Sequence, residues 1–408
     1  MRWPSQFSML LLLFILMVQS VFGVPNRAYV TNTGSNSVSV IDTTTNTVVA
    51  TIVVPTPQEA AITPNGQFAY VATGGANLVV IIDTATNAVV GSIPLSLCSH
   101  IAITPDGRRA YVSSFNNGSV SVIDLTTNTV IDSISMSGPS FLAITPNSKS
   151  VYVSIKSSSQ VNVIDVLTNT VTASPSVDSP EGLAITPDGK SVYVISGPGN
   201  SFYVIDVATN GVTGPIALLS NPENIAITPD GTKAYVTYLF NPGLSLINIP
   251  SNTVQGPIMG VGTAIGIAVT PDGESVYVAN GSLDTVSVLH TANNTVFATI
   301  PVGTSPQWIA ITPAPTAAPL NLTGQQQKGA DSGLEREYVN VLNWEANPSG
   351  VGRQGYLVYR DGALIATLDA SAMEYTDHNR KKGATVLYSL VAFYAGGSQS
   401  APVSVQVP

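Results

Sequence analysis

Tyr111-Val-Ser-Ser-Phe-Asn-Asn-Gly-Ser-Val-Ser-Val-Ile-Asp124, continued through Asn128 to Ala143-Ile-Thr-Pro146, is one copy of a unit that occurs seven times. Tyr-Val recurs at Tyr29, Tyr70, Tyr111, Tyr152, Tyr193, Tyr235 and Tyr277, at spacings of 41 or 42 residues. A turn Asn follows at positions 46, 87, 128, 169, 210, 252 and 294, and the closing Pro falls at 64, 105, 146, 187, 229, 271 and 313. Val120-Ser-Val-Ile-Asp124 alternates with period 2 and reads as a strand. The Asp and Asn after it close a hairpin, because both make local side-chain bonds and Asn tolerates the left-handed conformation. Pro105-Asp-Gly107 is a turn with φ preset by Pro and positive φ supplied by Gly. Helical periodicity is absent from the repeats.

Such periods are the sequence signature of repeat architectures, and four strands per unit of about 41 residues match one propeller blade. A small residue, Ala61, Ala102, Ala143, Ala184, Ala226, Ala268 or Ala310, precedes the last strand's Thr-Pro pair. It suits the innermost strand, where sheets converge and space is least. The chain enters at Tyr29 and leaves after Pro313. The last strand, Gln307 to Thr312, is therefore expected to complete the sheet begun by the first three strands, hiding both edges. The expected fold class is all-β, a seven-bladed β-propeller over residues 24–313 followed by an immunoglobulin-like β-sandwich.

Tyr29-Val-Thr-Asn32 with its repeats resembles the YVTN family of β-propeller repeats, found in bacterial and archaeal surface-layer and secreted proteins. The resemblance covers residues 27–313. Asn248 and His290 depart from it in place of the strand-end Asp, and Ser148 in place of the turn Gly. After a stiff linker at 314–319, rich in Pro, residues 320–408 change character. Strands read at Val339–Trp344, Gly355–Tyr359, Ala363–Thr367, Val386–Phe393 and Val403–Val407. Trp344, Gly355-Tyr-Leu-Val-Tyr-Arg-Asp-Gly362, Tyr375-Thr-Asp377 and Tyr388-Ser-Leu-Val-Ala-Phe393 resemble a fibronectin type III domain. In that family Trp344 and Tyr388 would be core residues.

The N-terminus reads as an export signal. Arg2 is positive, and Met9 to Val18 is an unbroken apolar run. Ten residues rise roughly 15 Å as a helix, about half a bilayer core, too little to span. Val21-Phe-Gly23 suits cleavage, so residues 1–23 are expected to be removed and the mature chain to carry no integral membrane span. The expected location is secreted or cell-surface, or periplasmic where an outer membrane encloses the cell.

Only 10% of the 408 residues are charged, and the net charge is −9, which argues against a nucleic-acid partner. One cysteine, Cys98, excludes an internal disulfide or a CxxC site, and three histidines leave little for zinc or haem. No cofactor is expected. Nine of the sixteen carboxylates in 24–313 belong to the strand-end or Pro-Asp-Gly positions, so repeat architecture accounts for most of the acidity. No nucleophile elbow, metalloprotease or phosphate-loop motif is present.

The repeats disagree most at the entry to the innermost strand. An outer column holds Gln58, Ser99, Ser140, Glu181, Glu223, Ile265 and Gln307. An inner column holds Glu59, His100, Phe141, Gly182, Asn224, Gly266 and Trp308. Loops from all blades converge there, at one mouth of the central channel. Phe141 and Trp308 are expected to be exposed apolar anchors of a recognition surface, with Glu59, His100, Glu181, Glu223 and Asn224 as its polar groups. His100 with Glu59 or Glu181 has the residue types for acid–base work or for a metal, but a lone His with acids on separate blades reads first as a solvated polar residue. The function expected is a non-catalytic, monomeric interaction protein binding a protein or glycan at the cell surface. The alternative is a secreted enzyme, a propeller lactonase or a polysaccharide-active one, working at the same mouth.

Overall fold

The computed structural model describes residues 26–313, 319–331, 336–346, 353–383, 385–394, 400 and 402–407. The expected signal segment 1–23 and linker residues 314–318 lie outside them. The repeats fold as seven four-stranded antiparallel sheets within Arg27–Ile311. We number the sheets 1 to 7 by the tyrosines Tyr29 to Tyr277. In sheet 3 the strands run from the inside outward as His100–Ile103, Arg109–Ser114, Ser119–Asp124 and Thr129–Ser135. The two middle strands are buried almost throughout, whereas the fourth buries only Ile134. Sheets stacked on both faces bury alternate positions of either kind. Small Ser residues therefore sit inside with Val, and Ser39 accepts a hydrogen bond from Asn32 Nδ2 at 2.9 Å.

Sheet 1 is built from both ends of the repeat region. Pro306–Ile311 pairs antiparallel with Arg27–Asn32, with Ala28 opposite Ile311 and Val30 opposite Ile309. The arrangement is the one expected, with the strand one residue earlier at each end. The inner strands neighbour one another in succession, and that of sheet 7, Ala264–Val269, neighbours Pro306–Ile311, which in turn neighbours Pro57–Ile62. The seven sheets thus close on themselves.

A second closed circuit runs outside this one, and it explains why Tyr and Asn repeat together. The tyrosine hydroxyl of each sheet donates to the turn Asn of the next. The pairs are Tyr29–Asn87, Tyr70–Asn128, Tyr111–Asn169, Tyr152–Asn210, Tyr193–Asn252 and Tyr235–Asn294, at 2.5 to 3.3 Å. Tyr277 bonds Asn46 and completes the circuit. Every one of these Asn residues has φ between 53° and 58°. Gly would suit that backbone but supplies no acceptor; Asn does both. Tyr70→Phe should cost about 1 kcal/mol, because it takes away the hydrogen bond that the Asn128 Oδ1 accepts. Urea unfolding of Tyr70→Phe against the parent checks this, and an unchanged midpoint would exclude the bond as a stabiliser.

The last strand of each unit ends on a second repeated device. Thr104 Oγ1 donates to Asp106 Oδ1 at 2.6 Å and accepts the Arg109 N–H at 3.0 Å, locking the Thr-Pro-Asp-Gly turn. Hydrogen bonds from Thr186 and Thr228 likewise hold the Asp188 and Asp230 carboxyls below their usual range. Cys98 is buried, its thiol pushed up to about 11 by burial, and it donates to the Leu95 carbonyl.

The C-terminal segment forms two sheets of its own. One holds Leu320–Asp331, Arg336–Glu345 and Glu374–Arg380. The other, in spatial order, holds Ala363–Asp369, Arg353–Arg360, Val386–Tyr394 and Val403–Val407. Two of these seven strands, Leu320–Asp331 and Glu374–Arg380, were not expected. Trp344 and Tyr388 are buried, with Leu342, Tyr356, Val358 and Leu390, in one core. Asp377 takes a two-pronged bond from Arg360 and a third from the Tyr388 hydroxyl, so it is a structural residue. Among the described residues no helix is long and apolar enough to cross a membrane.

Candidate functional site

In six of the seven sheets a β-bulge falls at the variable columns; in sheet 3 His100 pairs with Ser113 without a register shift. In sheet 2, Pro57 pairs with Thr73 and Ala60 with Val71, so Gln58 and Glu59 together oppose one residue. Sheets 4, 5, 6 and 7 repeat the extra residue at Pro139/Leu142, Pro180/Leu183, Pro222/Ile225 and Ala264/Ile267. A bulge frees side chains from the ladder and re-aims them, a device common beside functional sites. Gly is at home in the inner column for a steric reason. A Cβ on Gly182 would stand 2.7 Å from the Asn224 Cα and the Glu223 carbonyl, and one on Gly266 2.3 Å from the Gln307 carbonyl.

Where the column carries rings, they meet. His100 stacks on Phe141 at 4.3 Å between centroids and 24° between planes. Trp308 approaches both edge-on, at 5.1 Å from His100 and 5.5 Å from Phe141. His100, Phe141 and Trp308 come from sheets 3, 4 and 1, and the inner strand of sheet 2 separates the first from the last. Contact between them therefore crosses the central channel, which the three rings plug. Phe141 is 7% exposed and Trp308 8%. The expectation of exposed aromatic anchors is thus wrong for both: seven inner strands enclose a space narrow enough for three rings to fill.

The charged groups assemble beside the plug. Glu59 Oε2 lies 3.2 Å from His100 Nδ1 and accepts the Ile101 N–H at 3.0 Å, so His100 meets an acid from the adjacent sheet and is not the solvated residue expected. Glu181, itself buried, pairs with Lys156, which stands just past the strand Ser150–Ile155 of sheet 4. Glu223, half-buried on the next inner strand, feels Glu181, Lys156 and His100. Burial, and then the charge of Glu181, push its carboxyl up to about 7, while Lys156 and His100 pull the other way. Asn224 spends its Oδ1 on the Ile225 N–H at 2.8 Å and serves the backbone. The structure thus brings Glu59, His100, Phe141 and Trp308 together, and Glu223 within electrostatic reach of both His100 and Glu181. Lys156 was missed. Its signal was available, since no other repeat carries a charge four residues after its Tyr.

A carboxyl raised on folding favours the protonated native state. The stability it contributes is full below its unfolded value near 4.5 and lost as pH rises through about 7. The melting temperature should therefore fall between pH 5 and 8, by an effect on the order of 1–3 kcal/mol. Glu223→Gln, which imitates the neutral acid, should flatten that slope. Calorimetry across the range checks it, and an equal slope in both proteins would assign the loss elsewhere.

No protein-family model matches the chain, and no curated protein does. Solved structures do. A functionally unknown protein from Desulfotomaculum acetoxidans is 17% identical, with a TM-score of 0.62 over 71% of this chain and 99% of its own. Hydrazine synthase of Kuenenia stuttgartiensis is 22% identical, with a TM-score of 0.59 over 64% of this chain and 91% of its own. A candidate 6-phosphogluconolactonase of Bacteroides uniformis is 15% identical, with a TM-score of 0.59 over 70% of this chain and 99% of its own. At such identities the likeness concerns the fold alone, and that fold, all-β and built of four-stranded antiparallel sheets, is of the β-propeller type.

Proposed function

We propose that this chain is an exported recognition protein, a seven-bladed propeller of YVTN-type repeats followed by a fibronectin type III-like domain, acting as a monomer outside the cell or at its surface. Seven sheets with a closed Tyr–Asn circuit support the blade count. The C-terminal pairing, three strands in one sheet and four in the other, supports the second domain. The partner, a protein or a glycan, binds at the channel mouth. The observation that carries this is the ring plug of His100, Phe141 and Trp308, with Glu59, Glu181, Lys156 and Glu223 gathered beside it. Glu59 and Glu181, with Glu223 about half-ionised at pH 7, outweigh the one lysine, which favours basic or hydroxyl-rich partners and disfavours phosphorylated ones such as 6-phosphogluconolactone. A photo-crosslinking residue at Gln307, used on intact cells, should capture one dominant partner, and Glu181→Gln with Glu223→Gln should abolish capture. Undiminished capture by the folded double variant would move the site off the mouth.

One observation favours a second reading, that of a secreted enzyme at the same mouth. Burial and the charge of Glu181 push the Glu223 carboxyl up to about 7, the range a general acid needs, and it feels the charge of His100, whose Nδ1 lies 3.2 Å from Glu59 Oε2.

A further inference from the structure

From four loop apices joined on the mouth side of sheets 6 and 7, we infer that Leu219, Phe240, Met259 and Leu283 form an apolar arc that docks the protein on a zwitterionic or uncharged lipid surface. Such docking is independent of what the mouth binds, and it gives an exported chain a hold on a cell surface. Phe240, Met259 and Leu283 are 69%, 62% and 59% exposed, and Leu219 40%. In chain order they stand on the loop into sheet 6, the hairpin of sheet 6, the loop into sheet 7 and the hairpin of sheet 7. Each loop is tied to the next. Asn241 Nδ2 donates to the Ser220 carbonyl at 2.6 Å, the Gly243 N–H to the Val261 carbonyl at 3.2 Å, and the Gly262 N–H to Asn280 Oδ1 at 3.0 Å. Leu283 lies directly on the third loop, since a Cβ on Gly262 would stand 2.9 Å from its Cδ1. The four apices therefore make one continuous surface, and these N–H donors at its base are already paired, as backbone facing lipid must be.

Charge and shape select the occupant. Residues 218–221, 239–243, 259–263 and 281–284 hold a single charge, Asp284, whose Oδ1 accepts the Ser305 N–H at 2.8 Å. The opposite ends of the same two sheets hold Asp230, Lys233, Asp272 and Glu274. Each sheet is thus apolar at one end and charged at the other, the division by which an amphipathic element settles in a membrane interface. The chain enters and leaves the sheets at the charged end, where the Arg27 N–H donates to Thr312 Oγ1 at 2.9 Å, so both connections lead away from the arc. A rigid protein partner is matched by a pocket or a flat patch. Here the apolar side chains stand on separate apices with Ser, Asn, Gly and Pro between them, which a fluid surface encloses one by one. Of the seven Lys and Arg residues in 26–313, Lys156 alone lies on the mouth side, and it is paired with Glu181. Anionic headgroups find no basic cluster there, which leaves zwitterionic or uncharged ones.

The test is flotation of the exported chain with vesicles of phosphatidylcholine and of phosphatidylglycerol, after removal of residues 1–23, whose apolar run would bind lipid by itself. The chain should float with phosphatidylcholine equally in low and high salt, and less with phosphatidylglycerol. Phe240→Ser with Met259→Ser should lower the partition coefficient about tenfold or more while the melting temperature stays within a few degrees. Leu167→Ser removes a side chain that is 84% exposed but stands at the charged end of sheet 4, and it should change nothing. Absence of flotation with phosphatidylcholine overturns the inference. So does flotation that the folded double variant keeps in full, or binding confined to phosphatidylglycerol and released by salt. Should the chain ignore vesicles while the double variant loses its hold on intact cells, the arc docks a protein and not lipid. Should it instead abolish a dimer seen in sedimentation, the occupant is a second copy, and lipid docking is again overturned.

Discussion

Trp308→Ala is expected to lower the free energy of unfolding by about 3–5 kcal/mol, the range for truncating a buried Trp or Phe. Trp308 is 8% exposed, sits on the closing strand Pro306–Ile311, and touches rings from two other sheets. Its removal opens a cavity at the one place where seven strands converge and none can collapse inward without leaving the ladder it pairs with. Phe141→Ala should cost a comparable amount, and the double variant less than the sum, because the two rings share a contact. Guanidinium unfolding of the single and double variants measures this. A cost within 0.5 kcal/mol, the size ordinary for surface residues, would mean that the rings are not a plug.

The larger effect concerns closure. Deleting residues 306–408 takes away the inner strand of sheet 1 together with Trp308. The strand Arg27–Asn32 then has an unpaired edge, and the ring is open at both ends of the gap. Such a chain should show no cooperative melting and should associate. Deleting only 320–408 leaves every one of the seven sheets whole, since no strand of Leu320–Val407 pairs with them among the described residues. That shorter deletion should melt cooperatively within a few degrees of the full chain. Equal behaviour of the two truncations would contradict the sharing of sheet 1 between the chain's ends.

Much of this was legible in the residues. The period gave away the sheets because each unit repeats its own turn chemistry, Asn in the left-handed region and Thr-Pro-Asp-Gly at the inner end. What the period concealed was partnership. Tyr111 bonds Asn169, 58 residues on and in the next sheet, so no inspection of one unit reveals why its Tyr is there. The inner column was visible as the place where repeats differ, but burial at Phe141 and Trp308 depends on the width of the channel, which a one-dimensional pattern does not carry. His100 and Glu59 occupy the same column of adjacent units, and their contact follows only once inner strands are seen to be neighbours. In the C-terminal segment, Leu320–Asp331 escaped notice because its Gln325-Gln-Gln327 centre shows no apolar alternation. It is an edge strand recruited by pairing with Arg336–Glu345. Glu374–Arg380, at the opposite edge of the same sheet, is as polar and was hidden for the same reason.

Carboxylates from different inner strands gather at the plugged channel and set one another's charge, and carboxyl-labelled glutamate with carbon NMR tests this. The chain has eight Glu residues, and one resonance should titrate with a midpoint near 7 and vanish in Glu223→Gln. Its midpoint should fall toward the usual range in Glu181→Gln, because the neighbouring charge that helps to raise it is gone. Eight midpoints all between about 4 and 5 would contradict the claim, placing Glu223 in open solvent and away from Glu181.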